Sequence, residues 1–239
     1  MNELVSYGIS ILISCTSFLS LSTNIVHNKI SSTIIPSYVP PKKRLPWVTY
    51  IYSTIHASLS TIFSILYLSN RINQSLYIHM FGFSVGYAIH DALVVWRNKR
   101  FFPNTWKEVL VHHSTFIFGG LAVCLPHTRD IALTYAAKLL TVEISTIFLN
   151  MSWFLLTAKK EGTLTFRING IFLLLSYLTS RIANLSYHTW ELYSIRNTFN
   201  PYISYPGLFI ITGLTSMNYM WFYKLIRSVS QKWITKKDK

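Results

Sequence analysis

The chain has 239 residues, 51% of them hydrophobic and only 13% charged, with a net charge of +14. Soluble domains carry roughly 25% charged residues, so this composition argues against a water-soluble domain and for a membrane protein. Two cysteines, Cys15 and Cys124, both sit in apolar runs and suggest neither a disulfide framework nor a zinc cage.

The first apolar run, Leu4–Val26, has no charge over 23 residues. At ~1.5 Å per residue it is long enough to cross a hydrocarbon core of about 30 Å. Only Glu3 precedes it, so a basic leader is missing and the run reads as a retained helix. Six more apolar blocks follow: Trp47–Leu68, Leu76–Trp96, Val109–Leu125, Ile131–Thr157, Phe166–Tyr187 and Gly207–Leu225. The expected fold is therefore all-α, a polytopic membrane helix bundle of about seven transmembrane helices, with no soluble module, repeat or low-complexity segment.

Placing the connecting segments on alternate sides distributes the 22 Lys and Arg residues unevenly. Seventeen fall on one side, Lys29 and the clusters at Lys42–Arg44, Arg97–Lys107, Lys159–Arg167 and Lys224–Lys239, against Arg71, Arg129 and Arg196 on the other. Lys138 and Arg181 lie within helices. The positive-inside rule puts the basic side in the cytosol, hence a lumenal N-terminus and a cytosolic C-terminus. Anionic headgroups then account for the basic excess, and no nucleic-acid partner is implied. The last four residues, KKDK, resemble a dilysine signal read by a retrieval coat, an address for the endoplasmic-reticulum membrane. Sequons at Asn73, Asn150 and Asn184 lie in or against helices, where glycosylation is not expected.

Ionisable residues inside spans are functional candidates by default. Asp91 lies six residues before Arg97, and His113 six residues after Lys107. Both are therefore about 9 Å inside the cytosolic ends of adjacent antiparallel helices. Asp91 can orient or charge either His112 or His113, and these two point ~100° apart on a helix, so they take different roles. His90 neighbours Asp91 but faces elsewhere and stays unassigned. An adjacent histidine pair is poor chelating geometry compared with i, i+4 spacing, so no metal site is expected. Glycine-rich phosphate loops, nucleophile elbows and serine triads are not found.

Glu143, Thr146, Asn150 and Trp153 follow the spacing of one helical face. Glu143 and Arg181 are each fifteen residues from the cytosolic ends of their helices, near Ala158 and Phe166, and are expected to form an intramembrane ion pair. Asn218 lies near the level of Asp91, His113 and Asn150. Glu143, Asn150, Arg181 and Asn218 are thus the candidate substrate-binding residues, with helix-to-helix glue as the competing and favoured role for all four.

Taken in order, "FGFSVGYAIHDALVVW", "EVLVHHSTF", "LTVEISTIFLNMSWF", "FRINGIFLLLSYLTSRI" and "SMNYMWFYKLIR" resemble the TLC-domain family, which includes the ceramide synthases. The resemblance implies a six-helix core around a cavity open to the cytosol, here preceded by one more helix. It divides the chain into residues 1–44 (N-terminal helix and cytosolic linker), 45–227 (the TLC domain) and 228–239 (a basic cytosolic tail). In ceramide synthases a histidine pair and a later aspartate pair serve N-acylation. His112 and His113 match the former. The aspartate pair has no counterpart in "TVEISTIFLNMSW", where Glu143 is the sole acid. The chain is more similar to the small TLC-domain proteins of lipid homeostasis.

The resemblance implies either an acyltransferase with catalytic His112, His113 and Asp91, or a non-catalytic lipid-binding regulator of membrane composition. The acyltransferase would use acyl-CoA as co-substrate, with no bound cofactor. Sphingoid base, ceramide or phospholipid would be the lipid partner in either case. A trafficking receptor ranks third, because its lumenal loops are short except at His188–Tyr205. A transporter would need paired broken helices, which are missing.

The expected ion pair is tested by charge exchange. Glu143→Arg and Arg181→Glu should each destabilise the purified protein by about 3 kcal/mol, and the double exchange should regain at least half of that in thermal unfolding. A double variant no more stable than the worse single one would dismiss the pair.

Overall fold

The computed structural model describes residues 5–14, 16–17, 35–121, 123 and 128–237. The remainder of the expected first helix, both cysteines and the end of the KKDK tail lie outside the described residues. Helices occur at all seven expected places. They are α1 (Val5–Ser14), α2 (Pro41–Leu68), α3 (Gln74–Arg97), α4 (Trp106–Leu121), α5 (Arg129–Thr157), α6 (Leu164–Thr198) and α7 (Pro201–Lys237). Helices α2, α3, α5 and α6 are long and apolar enough to cross a membrane. The chain is an all-α, multi-pass membrane protein.

Local chemistry sets the ends of these rods. Proline opens both α2 and α7, where its missing N–H costs nothing. Asn73 caps α3 by accepting from the Leu76 amide at 2.9 Å, and Asn200 accepts from the Tyr202 amide ahead of α7 at 2.9 Å. Asn70 and Lys159, past the ends of α2 and α5, take left-handed backbone conformations with φ 56°, which stop a helix. The segment expected to be a long loop, His188–Tyr205, is instead mostly helix. Helix α6 runs on to Thr198 and α7 starts at Pro201. No proline or glycine interrupts residues 188–198, and a 2.7 Å contact from His188 Nδ1 to Glu191 Oε2 ties one turn together.

Two helices depart from α geometry at charged positions. In α5 a 3₁₀ turn spans Thr141–Glu143, and in α6 a π-helical stretch spans Tyr177–Ala183 and carries Arg181. Such insertions are common where a side chain must be re-aimed.

The chain forms two compact units, residues 1–173 and 174–239. In the first, Tyr7 of α1, Tyr77, Phe81 and Val85 of α3, and Leu133, Ala137 and Leu140 of α5 make one core. Trp47, Val48 and Tyr52 of α2 make a second with Tyr87 of α3, and Trp153 and Phe154 of α5 pack on it. In the second unit Tyr177, Leu185, Ile211 and Leu214 are buried.

Helix α1 docks on α3 through small residues. Ser6, Ser10 and Ser14 recur every four residues along α1 and face Gly82 and Gly86, which are also four apart. A Cβ on Gly86 would meet the Ile11 carbonyl oxygen and Ser14 Cβ at 2.7 Å, and one on Gly82 would meet Ser10 Cβ at 3.0 Å. Where both helices are apolar, this close backbone approach drives association. Serine hydroxyls add polar links: Ser10 Oγ to His79 Nδ1 at 2.7 Å, Ser6 Oγ to His79 Nε2 at 3.2 Å, and Ser14 Oγ donating to the Phe83 carbonyl at 2.9 Å.

Gly86→Val should therefore push α1 off α3 and cost about 1–3 kcal/mol. Gly119→Val, where an added Cβ meets nothing within 4 Å, should leave thermal stability unchanged. Equal melting temperatures for the two variants would refute the seam.

Candidate functional site

The α3–α4 hairpin and the face of α2 packed beside it bring together several buried polar side chains of the first unit. His113 Nε2 lies 2.9 Å from Asp91 Oδ2, with the two side chains 12% and 11% exposed. A carboxylate only accepts, so Nε2 carries the proton and donates. In the neutral ring that leaves Nδ1 as the basic nitrogen. The His112 ring centroid is 5.4 Å from that of His113, tilted by 53°. His113, not His112, is thus the member of the pair that Asp91 holds. His90 is fully buried and meets Tyr52 edge-on at 6.1 Å, on a face apart from Asp91.

Behind His113 lies a layer that the sequence reading left unassigned. The Tyr87 ring sits edge-on to His113 at 6.0 Å and stacks on His56 of α2 at 4.1 Å and 14°. His56 Nε2 reaches Ser60 Oγ at 3.0 Å, Ser60 reaches Ser84 at 2.9 Å, and Ser84 donates to the Met80 carbonyl at 3.2 Å. All four of Tyr87, His56, Ser60 and Ser84 are buried. The signal was present in the sequence: His56, Ser60 and Ser64 recur every four residues, a polar stripe along one face of an otherwise apolar helix. Ser64 closes the stripe by contacting the Tyr77 hydroxyl at 3.0 Å. The stack fixes Tyr87, and Tyr87 limits how the His113 ring can turn.

At the turn that joins α3 to α4 is a basic, aromatic apron. Arg97, Lys99, Arg100 and Lys107 are exposed. The Lys99 and Lys107 ammonium groups lie 5.7 and 5.5 Å from the same Trp106 ring centroid, and Arg100 lies 4.8 Å from that of Phe101. Cation–π contacts of this kind hold the positive charges in place.

The four expected substrate-binding residues are distributed differently. The Asn150 amide donates to Thr54 Oγ1 at 3.0 Å and to the Tyr50 carbonyl at 3.4 Å, bridging α5 to α2. Asn169 does the same between α6 and α5, through Ser152 Oγ at 2.8 Å and the Phe148 carbonyl at 2.9 Å. Glu143, in its 3₁₀ turn, accepts from Thr146 Oγ1 at 2.7 Å. In the second unit Asn218 Oδ1 accepts from Arg181 at 2.9 Å and from the Tyr177 hydroxyl at 3.3 Å, and its amide donates to the Leu214 carbonyl at 2.8 Å. The guanidinium also lies over the Tyr177 ring at 5.3 Å. Asn150 and Asn218 therefore join helices. Glu143 belongs to the first unit and Arg181 to the second. Among the described residues no three His, Cys, Asp or Glu side chains could jointly hold a metal ion.

Comparison with known proteins finds one domain over most of the chain. The model of the TLC domain matches residues 46–227. TLC domain-containing protein 4 C of Dictyostelium discoideum is 25% identical over 228 residues, covering 89% of this chain and 82% of that protein. TLC domain-containing protein 2 of Danio rerio is 27% identical over 194 residues, covering 76% of each. TLC domain-containing protein 1 of Gallus gallus is 31% identical over 149 residues, covering 61% of this chain and 55% of that protein.

Asn150→Leu should lower stability by about 1–3 kcal/mol, because it strips Thr54 of a buried partner. Lipid binding or turnover per folded molecule should not change. A variant of wild-type melting temperature with impaired lipid handling would reverse this and make Asn150 a ligand contact.

Proposed function

From the premise that the chain belongs to the TLC-domain family, we propose that it is a lipid-homeostasis protein of the endoplasmic-reticulum membrane. Its His113, oriented by Asp91, transfers an acyl group from acyl-CoA to a lipid amine or hydroxyl. The observation that carries this reading is the 2.9 Å contact between His113 Nε2 and Asp91 Oδ2. It fixes the tautomer of a ring set two helical turns inside the bundle.

In this mechanism the free Nδ1 of His113 removes the proton from the attacking amine or hydroxyl of a sphingoid base or phospholipid as it adds to the thioester carbonyl. The new C–N or C–O bond forms, the C–S bond breaks, and the imidazolium returns the proton to the departing thiolate. Asp91 stabilises the imidazolium in between. His112, 5.4 Å away centroid to centroid, binds or polarises the carbonyl. The apron of Arg97, Lys99, Arg100 and Lys107 pairs with the phosphates of CoA. The preponderance of Lys and Arg on one side supports a cytosolic position for that apron.

A second reading, a non-catalytic lipid-binding regulator, is favoured by one specific observation. The segment "TVEISTIFLNMSW" supplies a single acid, and its Asn150 amide is committed to Thr54 and Tyr50.

Purified protein given acyl-CoA and a panel of lipid amines and alcohols, with product and retained lipid read by mass spectrometry, separates the two. Transfer predicts a product that falls at least 100-fold in His113→Ala and roughly 10-fold in Asp91→Asn, with both variants folded. Retained lipid with no product from any pair would leave the regulator. Full turnover in His113→Ala would remove this residue as the base.

A further inference from the structure

The second unit contains a groove between α6 and α7 that shares no residue with the site around His113. Its volume is about 360 Å³, within the range of small-ligand sites. Ser186 and Thr189 of α6 and Thr212 and Thr215 of α7 line it, with Trp190 and Tyr193 as flanking walls. Among the described residues no Asp, Glu, Lys, Arg or His lines it, so the lining itself offers a charged headgroup no counter-ion.

Its hydroxyls have a polarity of their own. Thr189 Oγ1 lies 2.7 Å from the Leu185 carbonyl oxygen, Thr215 Oγ1 2.8 Å from that of Ile211, and Ser186 Oγ 2.6 Å from that of Ile182. A hydroxyl has one hydrogen and two lone pairs. A hydrogen directed at its carbonyl leaves the oxygen with lone pairs. Ser186, so directed, accepts from the Tyr219 hydroxyl at 3.0 Å, and in the 2.9 Å Thr189–Thr215 contact one hydroxyl turns from its carbonyl and donates to the other. The oxygens of Ser186, Thr189 and Thr215 still present lone pairs, so they favour a ligand that donates.

Depth limits the choice further. Arg196 stacks on Tyr193 at 3.8 Å, and Tyr202, Tyr205 and Phe209 stand exposed nearby in the chain, the composition of an interfacial belt. Thr189 is seven residues inside Arg196, about 10 Å along the helix. Every polar group a ligand carries to that depth must be satisfied or pay for desolvation. A diacylglycerol or ceramide brings several such groups. A sterol brings one, a hydroxyl donor, on a flat body that loses little conformational entropy on docking.

We propose that the α6–α7 groove is a sterol site, with the sterol hydroxyl donating to the Thr189–Thr215 pair and the ring system lying against Trp190 and Tyr193. The spacing Arg181…Tyr187…Leu192 also fits a weak sterol-contact pattern. Arg181, however, is buried on Asn218, so the groove and not the pattern carries the assignment.

The test uses the full chain in lipid nanodiscs containing a sterol with a photoactivatable diazirine, with adducts mapped by peptide mass spectrometry. Adducts are expected within Ser186–Tyr193 or Leu208–Thr215. Excess unlabelled sterol should reduce them at least fivefold, and equal diacylglycerol or ceramide should not. Thr189→Val/Thr215→Val, which keeps shape but removes the acceptors, should also lower labelling at least fivefold. Trp190→Ala, at a position already 63% exposed, should do the same and decides the question if the double variant does not fold. Adducts confined to other helices, equal competition by ceramide or diacylglycerol, or undiminished labelling in a folded variant would overturn the proposal.

Discussion

Hydrocarbon offers no hydrogen bonds, and that constraint organises everything else in this protein. Each polar side chain placed inside a span must find its partner within the chain, and the partner is often on another helix. Asn150 to Thr54, Asn169 to Ser152 and Arg181 to Asn218 are the resulting bridges. They make the bundle inside-out relative to a soluble protein: linking groups are polar and buried, while Phe118, Leu164, Ile171 and Phe209 stand exposed on the outside. Apolar burial alone would not specify which helix meets which, because lipid tails are as apolar as leucine. The directional bonds supply the specificity.

The same constraint accounts for the site. An imidazole held against a carboxylate away from water is in a fixed tautomer and a fixed orientation, and the Tyr87–His56 stack and the Ser60–Ser84 contact support it from behind. That is the arrangement a proton-transfer site requires, since a positioned base needs supporting contacts that do not move. Glu143 and Arg181 occupy a 3₁₀ turn and a π-helical stretch respectively. Both of these mid-span charges thus sit where the backbone has left α geometry.

Much of this was legible in the residues because period and charge are one-dimensional signals. Apolar run length locates every helix, and counting residues from the basic ends puts Asp91 and His113 at one depth. What escaped required knowledge of faces. Depth left Asn150 both a ligand contact and a helix-to-helix link, and its rotational position on α5, which points it at Thr54, gives it the second role. His56 carries no assignment in the sequence, although Ser60 and Ser64 at the next turns mark a buried face. The end of α6 was placed too early because polar residues after Tyr187 resemble a loop, whereas an uninterrupted run without proline or glycine continues as helix into the polar interface.

The seam between α1 and α3 bears on where the functional unit begins. The region of family likeness starts at residue 46, yet the serine face of α1 fills the groove left by Gly82 and Gly86, one turn and a half from Asp91 on the same rod. A surface shaped for contact with α1 is thus built into the matched domain itself. Excision at the boundary of likeness would leave two glycines facing lipid and the backbone of the site-bearing helix uncovered. The domain as recognised by resemblance and the domain as a mechanical object differ by one helix, and the rod that carries Asp91 is packed as part of the larger of the two.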